Sequence, residues 1–160
     1  MLVGLPGTGK SSVAERLAAR WGCAALDTDE VLSRRARRPV ADVLREEGEP
    51  AFRTRELAAL EESLVADAVV ATGGGVVTTP EARALLVAER TVWLDAPDEV
   101  LLERLGEGDR PLLAGETAVA LAGLRREREA LYEAVSGVRV DADGEPDEVA
   151  QRVAVALGEP

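Results

Sequence analysis

The 160-residue chain predicts an α/β fold with a parallel sheet, on three observations. Short apolar runs alternate with longer helical patterns along the whole length, the order that sets parallel strands beside crossover helices. Between the first run and the first helix stands Gly4-Leu5-Pro6-Gly7-Thr8-Gly9-Lys10-Ser11, which matches the P-loop pattern G-x-x-x-x-G-K-[ST] at every fixed position. Prolines and glycines fall where helices should begin and end: Pro39, Pro80 and Pro97 near starts, Gly22 and Gly48 near ends.

The first strand is Leu2–Val3, and the loop over residues 4–11 follows it. Gly4, Gly7 and Gly9 let the backbone turn through conformations closed to other residues. Successive N–H groups then face inward as an anion-binding nest. A helix beginning near Lys10 adds its free amides and the positive end of its dipole. Lys10 is the only lysine in the chain; the other eighteen basic residues are arginines. Its compact ammonium on a flexible stem suits a place between β- and γ-phosphates.

Ala24–Leu26 is the second strand, with Asp27 and Asp29 closing it. Two residues apart on an extended chain, these side chains point the same way and could serve Mg²⁺ and an acceptor hydroxyl. A strand–helix turn with Asp29 as the N-cap is the other reading. In the helix after Pro50, Arg53 continues an apolar stripe with Leu57, Leu60 and Leu64. The third strand, Val69–Thr72, runs into Gly73-Gly74-Gly75, which leaves bare amides at a strand end.

The fourth strand is Thr91–Leu94, and Gly106 to Pro111 is the expected mobile loop. In the next helix Leu121, Leu124, Arg128, Leu131 and Val135 form a second stripe with an arginine inside it. Val138–Val140 is the fifth strand. An inward guanidinium is costly unless paired. Glu56, three residues on, can orient Arg53; Arg128 has no obvious inward acid, so an anionic ligand is an attractive partner. The alternative is that both snorkel to the surface along their methylene stems.

Apolar content of 46 % and charged content of 31 % are ordinary for a soluble globular protein. The length suits one domain over residues 1–160, burying roughly two-thirds of the surface its unfolded chain exposes. No apolar run approaches the roughly 18 residues of a membrane span, and the loop starts too early for a signal peptide. Cys23 has no partner for a disulfide and reads as a small buried hydrophobe beside a strand, which points to the cytoplasm. A net charge of −11 argues against a nucleic-acid partner. Arg34-Arg35-Ala36-Arg37-Arg38 reads as a solvated helix end, and the lack of histidine excludes imidazole chemistry.

In order, these pieces resemble the shikimate kinases, small P-loop kinases of aromatic amino-acid biosynthesis. The resemblance rests on Gly9-Lys10-Ser11, Asp27-Thr28-Asp29, Gly48-Glu49 with Phe52-Arg53-x-x-Glu56, Gly73-Gly74-Gly75, Arg110-Pro111-Leu112-Leu113, and Arg128 before Leu131-Tyr132. It implies a three-layer αβα P-loop fold, a five-stranded parallel sheet in the order 2-3-1-4-5, a shikimate-binding helical region over about 28–65 and a mobile lid over about 106–117. The implied reaction moves the γ-phosphoryl of ATP to the 3-hydroxyl of shikimate, with Mg²⁺ as cofactor, in a monomer that binds neither nucleic acid nor membrane.

By the match, Gly7, Thr8, Gly9, Lys10, Ser11 and Ser12 hold nucleotide phosphates, and Ser11 and Asp27 serve the metal. Asp29 meets the reacting hydroxyl, Arg53 and Arg128 grip the shikimate carboxylate, and Gly73, Gly74 and Gly75 lie against the ring hydroxyls. Lys10, Asp29 and Arg110 form the catalytic set; Arg104 and Pro146 border the adenine. Another small-metabolite P-loop kinase, such as a gluconate kinase, shares the loop but has no need of two inward arginines. A regulatory module that has lost phosphotransfer would often lack Asp29, Arg110 or the lysine. The chain departs from the family in its short first strand and in a lid about one residue shorter than is common.

Overall fold

The computed structural model describes residues 1–64, 67–106 and 117–159. Five parallel strands form one sheet: β1 (Leu2–Val3), β2 (Ala24–Asp27), β3 (Ala68–Ala71), β4 (Val92–Asp95) and β5 (Val138–Asp141), in the order β2-β3-β1-β4-β5. That is the order expected from the family resemblance. Central β3 and β4 are apolar and almost wholly buried, as strands covered on both faces must be, whereas the edges β2 and β5 carry exposed residues. With only two residues, β1 still pairs with both neighbours, Leu2 opposite Ala71 and Val92.

Helices α1 (Lys10–Trp21), α2 (Thr28–Ala36), α3 (Val40–Ser63), α4 (Pro80–Ala88), α5 (Asp98–Leu105), α6 (Thr117–Val135) and α7 (Pro146–Ala156) complete the layers among the described residues. Gly22 ends α1 in the left-handed conformation, Pro39 and Pro97 stand at the N-caps of α3 and α5, and Pro80 opens α4. Gly48 does interrupt a helix, but helical structure resumes at once: α3 is two segments meeting at a residue with φ 79° and ψ 167°. Only glycine tolerates that backbone. Arg55, beyond the break, forks onto Glu47 before it at 2.7 and 3.1 Å, and Arg38 joins the same carboxylate. The basic run is the end of α2 as expected, with Arg37 in the left-handed region.

The main core gathers around the sheet, with Leu17, Leu86, Leu94, Leu101, Leu121 and Val153 fully buried. A smaller core of Val31, Leu32, Val43, Phe52 and Ala59 holds α2 against α3. Cys23 is half-buried rather than buried, because it sits in the turn beyond Gly22, at the rim of the main core. No helix among the described residues is long and apolar enough to cross a membrane.

Candidate active site

A cleft of about 490 Å³ is lined by the P-loop, Asp27 at the end of β2 and the residues that follow β3. Strand carboxyl ends are where parallel sheets collect ligands. On its P-loop side, Gly4, Gly7 and Gly9 have φ of 150°, 88° and 80°, so the glycines are required by backbone conformation. At Gly4 there is a second reason: a Cβ would run into the Leu94 carbonyl of β4. Gly9 then caps α1, and Lys10 is its first residue.

Lys10 is nearly buried, and its ammonium donates to the carbonyls of Gly4 and Leu5 at 2.9 Å each and to Thr8 Oγ1 at 3.3 Å. The loop thus holds its own cation in place beside the cleft. Ser11 and Ser12 line the cleft with Gly7 and Gly9. Thr8 does not: its hydroxyl and amide both turn to the Leu5 carbonyl, at 2.9 and 3.4 Å. Its side chain therefore braces the loop instead of reaching into the cleft.

Ser11 Oγ donates to Asp27 Oδ2 at 2.5 Å. The other Asp27 oxygen accepts the Asp29 amide at 2.8 Å, making Asp27 the N-cap of α2. This differs from the extended Asp27–Asp29 pair read from sequence. The strand stops at Asp27, Asp29 lies in the first helical turn, and the cap is Asp27 rather than Asp29. Both aspartates still line the cleft, one from a strand end and one from a helix start.

A second part of the cleft is built on the glycine triplet. A Cβ at Gly73 would lie 2.6 Å from Glu56 Oε1 and 2.9 Å from Asp29 Oδ1. At Gly75 it would lie 2.5 Å from Arg53 Nη2, and at Gly74 3.0 Å from Pro6. The triplet makes room for two carboxylates and a guanidinium, a stronger requirement than the bare amides inferred from sequence. Gly73 N–H also donates to Thr28 Oγ1 at 3.0 Å, tying the triplet to α2.

Arg53 donates to Glu56 at 2.7 Å and Glu49 at 3.1 Å. Burial works against its charge, but the Glu56 and Glu49 carboxylates outweigh that and raise its pKa. Burial in turn pushes the Glu56 carboxyl above its usual range, against the pull of Arg53. Arg128 is 3 % exposed; its Nε donates to Glu127 at 3.4 Å, and the Tyr132 hydroxyl lies beside its guanidinium. Among the described residues, three buried side-chain polar atoms lack a hydrogen-bond partner: Arg53 Nε, Arg128 Nη1 and Trp93 Nε1. Two of the three belong to the arginines that line this cleft, so the snorkelling alternative is not what the fold adopts.

Arg104 also lines the cleft, with its guanidinium donating to Ala142 and Gly144 carbonyls at 3.0 and 2.8 Å and, at 3.4 Å, to that of Gly7. Pro146, the first residue of α7, is half-buried outside the cleft lining. Arg110 and most of the expected lid lie outside the described residues.

The inward stripe of α6 is rotated from the one read in sequence. Leu121, Arg128, Tyr132 and Val135 are buried, while Leu124 and Leu131 are only partly so. The steps from Leu121 to Arg128 to Tyr132 to Val135 are seven, four and three, a helical period that the sequence already offered. Tyr132 was therefore missed: its hydroxyl donates to the Gly74 carbonyl at 2.5 Å, and its ring stacks on Trp93 with centroids 5.9 Å apart. Burial pushes its phenol upward despite the Arg128 guanidinium beside it, so it stays a neutral donor.

A model of the shikimate kinase family matches residues 6–157. The chain belongs to the shikimate kinase family. It is 41 % identical over 161 residues to a shikimate kinase of Frankia casuarinae, spanning 99 % of this chain and 72 % of that protein. To the shikimate kinase of Thermobifida fusca it is 38 % identical over 160 residues, with 98 % and 93 % of the two chains covered. A solved Acinetobacter baumannii shikimate kinase in complex with shikimate superposes with a TM-score of 0.92 at 33 % identity, over 98 % of this chain and 90 % of that one. As a shikimate kinase the protein is an enzyme of the shikimate pathway that phosphorylates shikimate.

Proposed function

We propose that the enzyme transfers the γ-phosphoryl group of ATP to the 3-hydroxyl of shikimate, and that the cleft residues divide the work by position. The observation that carries the reading is the pair of unpartnered buried guanidinium N–H groups, Arg53 Nε and Arg128 Nη1, on residues of the P-loop cleft. A planar fork binds a carboxylate bidentately, and shikimate carries a carboxylate remote from the hydroxyl to be phosphorylated. The Arg53 fork is already aimed by Glu56 and Glu49.

At the other end of the cleft, the loop amides and Lys10 hold the ATP phosphates, and Arg104 borders the adenine. Ser11 Oγ and Asp27 Oδ2 are adjacent hard oxygen donors, which fits Mg²⁺, an ion that takes few protein ligands and shares the rest with phosphates and water. Held by Ser11 and Asp27, Mg²⁺ would neutralise charge on the nucleotide phosphates. Asp29 faces the acceptor hydroxyl, orients it and takes its proton as the new O–P bond forms and the bond from the γ-phosphorus to the β–γ bridging oxygen breaks, releasing ADP. Arg110 meets the transferring phosphoryl group. Phosphoryl transfer needs mainly positioning and charge stabilisation, so these groups suffice without histidine. A monomer in the cytoplasm is part of the same proposal.

The test is ADP release from MgATP with shikimate, with gluconate and with neither. Shikimate-dependent release alone is the expected result. Release that follows gluconate, or release indifferent to shikimate, would overturn the reading.

A further inference from the structure

Of the three arginines of helix α6, Arg125 and Arg128 turn inward, and only Arg128 has a buried guanidinium nitrogen with no partner. Arg128 keeps Nη1 unpartnered. Arg125, one turn earlier, has a partner at every nitrogen: Nε donates to Asp98 Oδ1 at 2.7 Å, Nη1 to Asp95 Oδ1 at 2.8 Å and Nη2 to the Ala96 carbonyl at 2.7 Å. Asp95 ends β4 and is itself buried, and its other oxygen accepts from Arg139 of β5. Asp98 is the first residue of α5. All three donor directions of one rigid fork are thus fixed to the carboxyl end of the sheet.

We infer that Arg125 is a positioning residue for shikimate, a tether that sets the rotation and height of α6 so that Arg128 presents its free N–H to the cleft. Three bonds to a planar group define an orientation, where a single bond would define only a distance. Arg125 falls on the same face as Leu121, Arg128 and Tyr132, at steps of four, three and four. Buried side chains secure α6 at Leu121 and at Tyr132; between those two turns Leu124 and Leu131 reach the core only partly buried, and the inward polar positions are Arg125 and Arg128. The α5 helix has its own anchors in buried Leu101 and Leu105 and in the three carbonyls held by Arg104. Loss of the Arg125 fork is therefore felt on the α6 side.

The inference rests on the reading of Arg128 as a shikimate carboxylate ligand, and a double-mutant cycle separates the two. Shikimate and MgADP affinities are measured by titration calorimetry for the unsubstituted enzyme, Arg125→Lys, Arg128→Lys and the double variant. Arg125→Lys keeps the charge and loses the fork. It should weaken shikimate about tenfold, the scale of one charge-assisted hydrogen bond, and leave MgADP within about twofold. In the Arg128→Lys background the same change should cost almost nothing further, since a tether acting through Arg128 has nothing left to aim. Additive losses, or equal losses for MgADP and shikimate, would overturn the tether. Unaltered shikimate affinity in Arg128→Lys alone would instead overturn the carboxylate reading, and the tether with it.

Discussion

Gly75 and Arg53 show how much of this site depends on what a residue lacks. A methyl group at Gly75 would occupy the space of the Arg53 guanidinium. Gly75→Ala should therefore raise the shikimate KM by about tenfold or more by displacing that fork, with little change in the ATP KM, in steady-state kinetics with each substrate varied. Arg53→Lys should act in the same direction, because one point charge replaces a fork. Lys10→Ala should reduce kcat by at least about 10²-fold, as expected when a fixed donor to developing charge is removed; ordinary turnover in that variant would remove Lys10 from the mechanism.

Glu56 carries a pH dependence whose sign follows from its raised pKa. A carboxyl with a folded-state pKa above its unfolded value favours folding below the unfolded value, and that contribution is lost as pH rises through the folded pKa. Relative to Glu56→Gln, the unsubstituted protein should lose stability as pH rises from about 4.5 toward neutrality, read from thermal melts across that range. The two inward arginines were legible in the sequence because an arginine inside an apolar stripe breaks a pattern. The room they need at the glycine triplet was not, since it is set by residues distant in the chain.

At the scale of elements, the turn from β2 into α2 gives one carboxylate two tasks. Asp27 caps α2 through one oxygen and meets Ser11 through the other. Asp27→Asn should keep most of the cap and lose activity, whereas Asp27→Ala should lose activity and about 1 kcal/mol of stability as well. Melting curves and turnover measured on both variants separate the roles. The sequence placed both aspartates at the strand end but on an extended chain. Local propensity could not say that the helix starts one residue after Asp27, because the cap depends on the carboxylate reaching forward to accept from the Asp29 amide. The stripe of α6 was misphased for a related reason. Leu131 looks more apolar than Tyr132, yet Tyr132 finds Gly74 and is the more inward, and Arg125, half-buried like Leu124, finds partners on β4 and α5.

At the scale of the molecule, strand number and direction followed from the alternation of elements, whereas the order β2-β3-β1-β4-β5 came from the family resemblance alone. Strand order is a matter of which crossovers pack together, and no local pattern encodes it. The whole carries a net charge of −11, while its cleft sets Lys10, Arg53, Arg104 and Arg128 against Asp27, Asp29 and Glu56 and so is more positive than the body around it. Self-repulsion of the acidic body and attraction in the cleft should thus respond to salt in opposite directions. Raising ionic strength from about 0.01 to about 0.15 M shortens the screening length from about 30 to about 8 Å. The melting temperature should rise over that interval while shikimate affinity falls, checked by melts and calorimetry on the same samples.

The arginine-for-lysine usage leaves the chain with a single side-chain amine, seated at the phosphate loop and almost closed to solvent. An acylating reagent that modifies lysines at random on most proteins would here have one side-chain target besides the α-amine. Its uptake at Lys10, located by peptide mapping of the acylated chain, would be a direct gauge of whether the phosphate loop is filled.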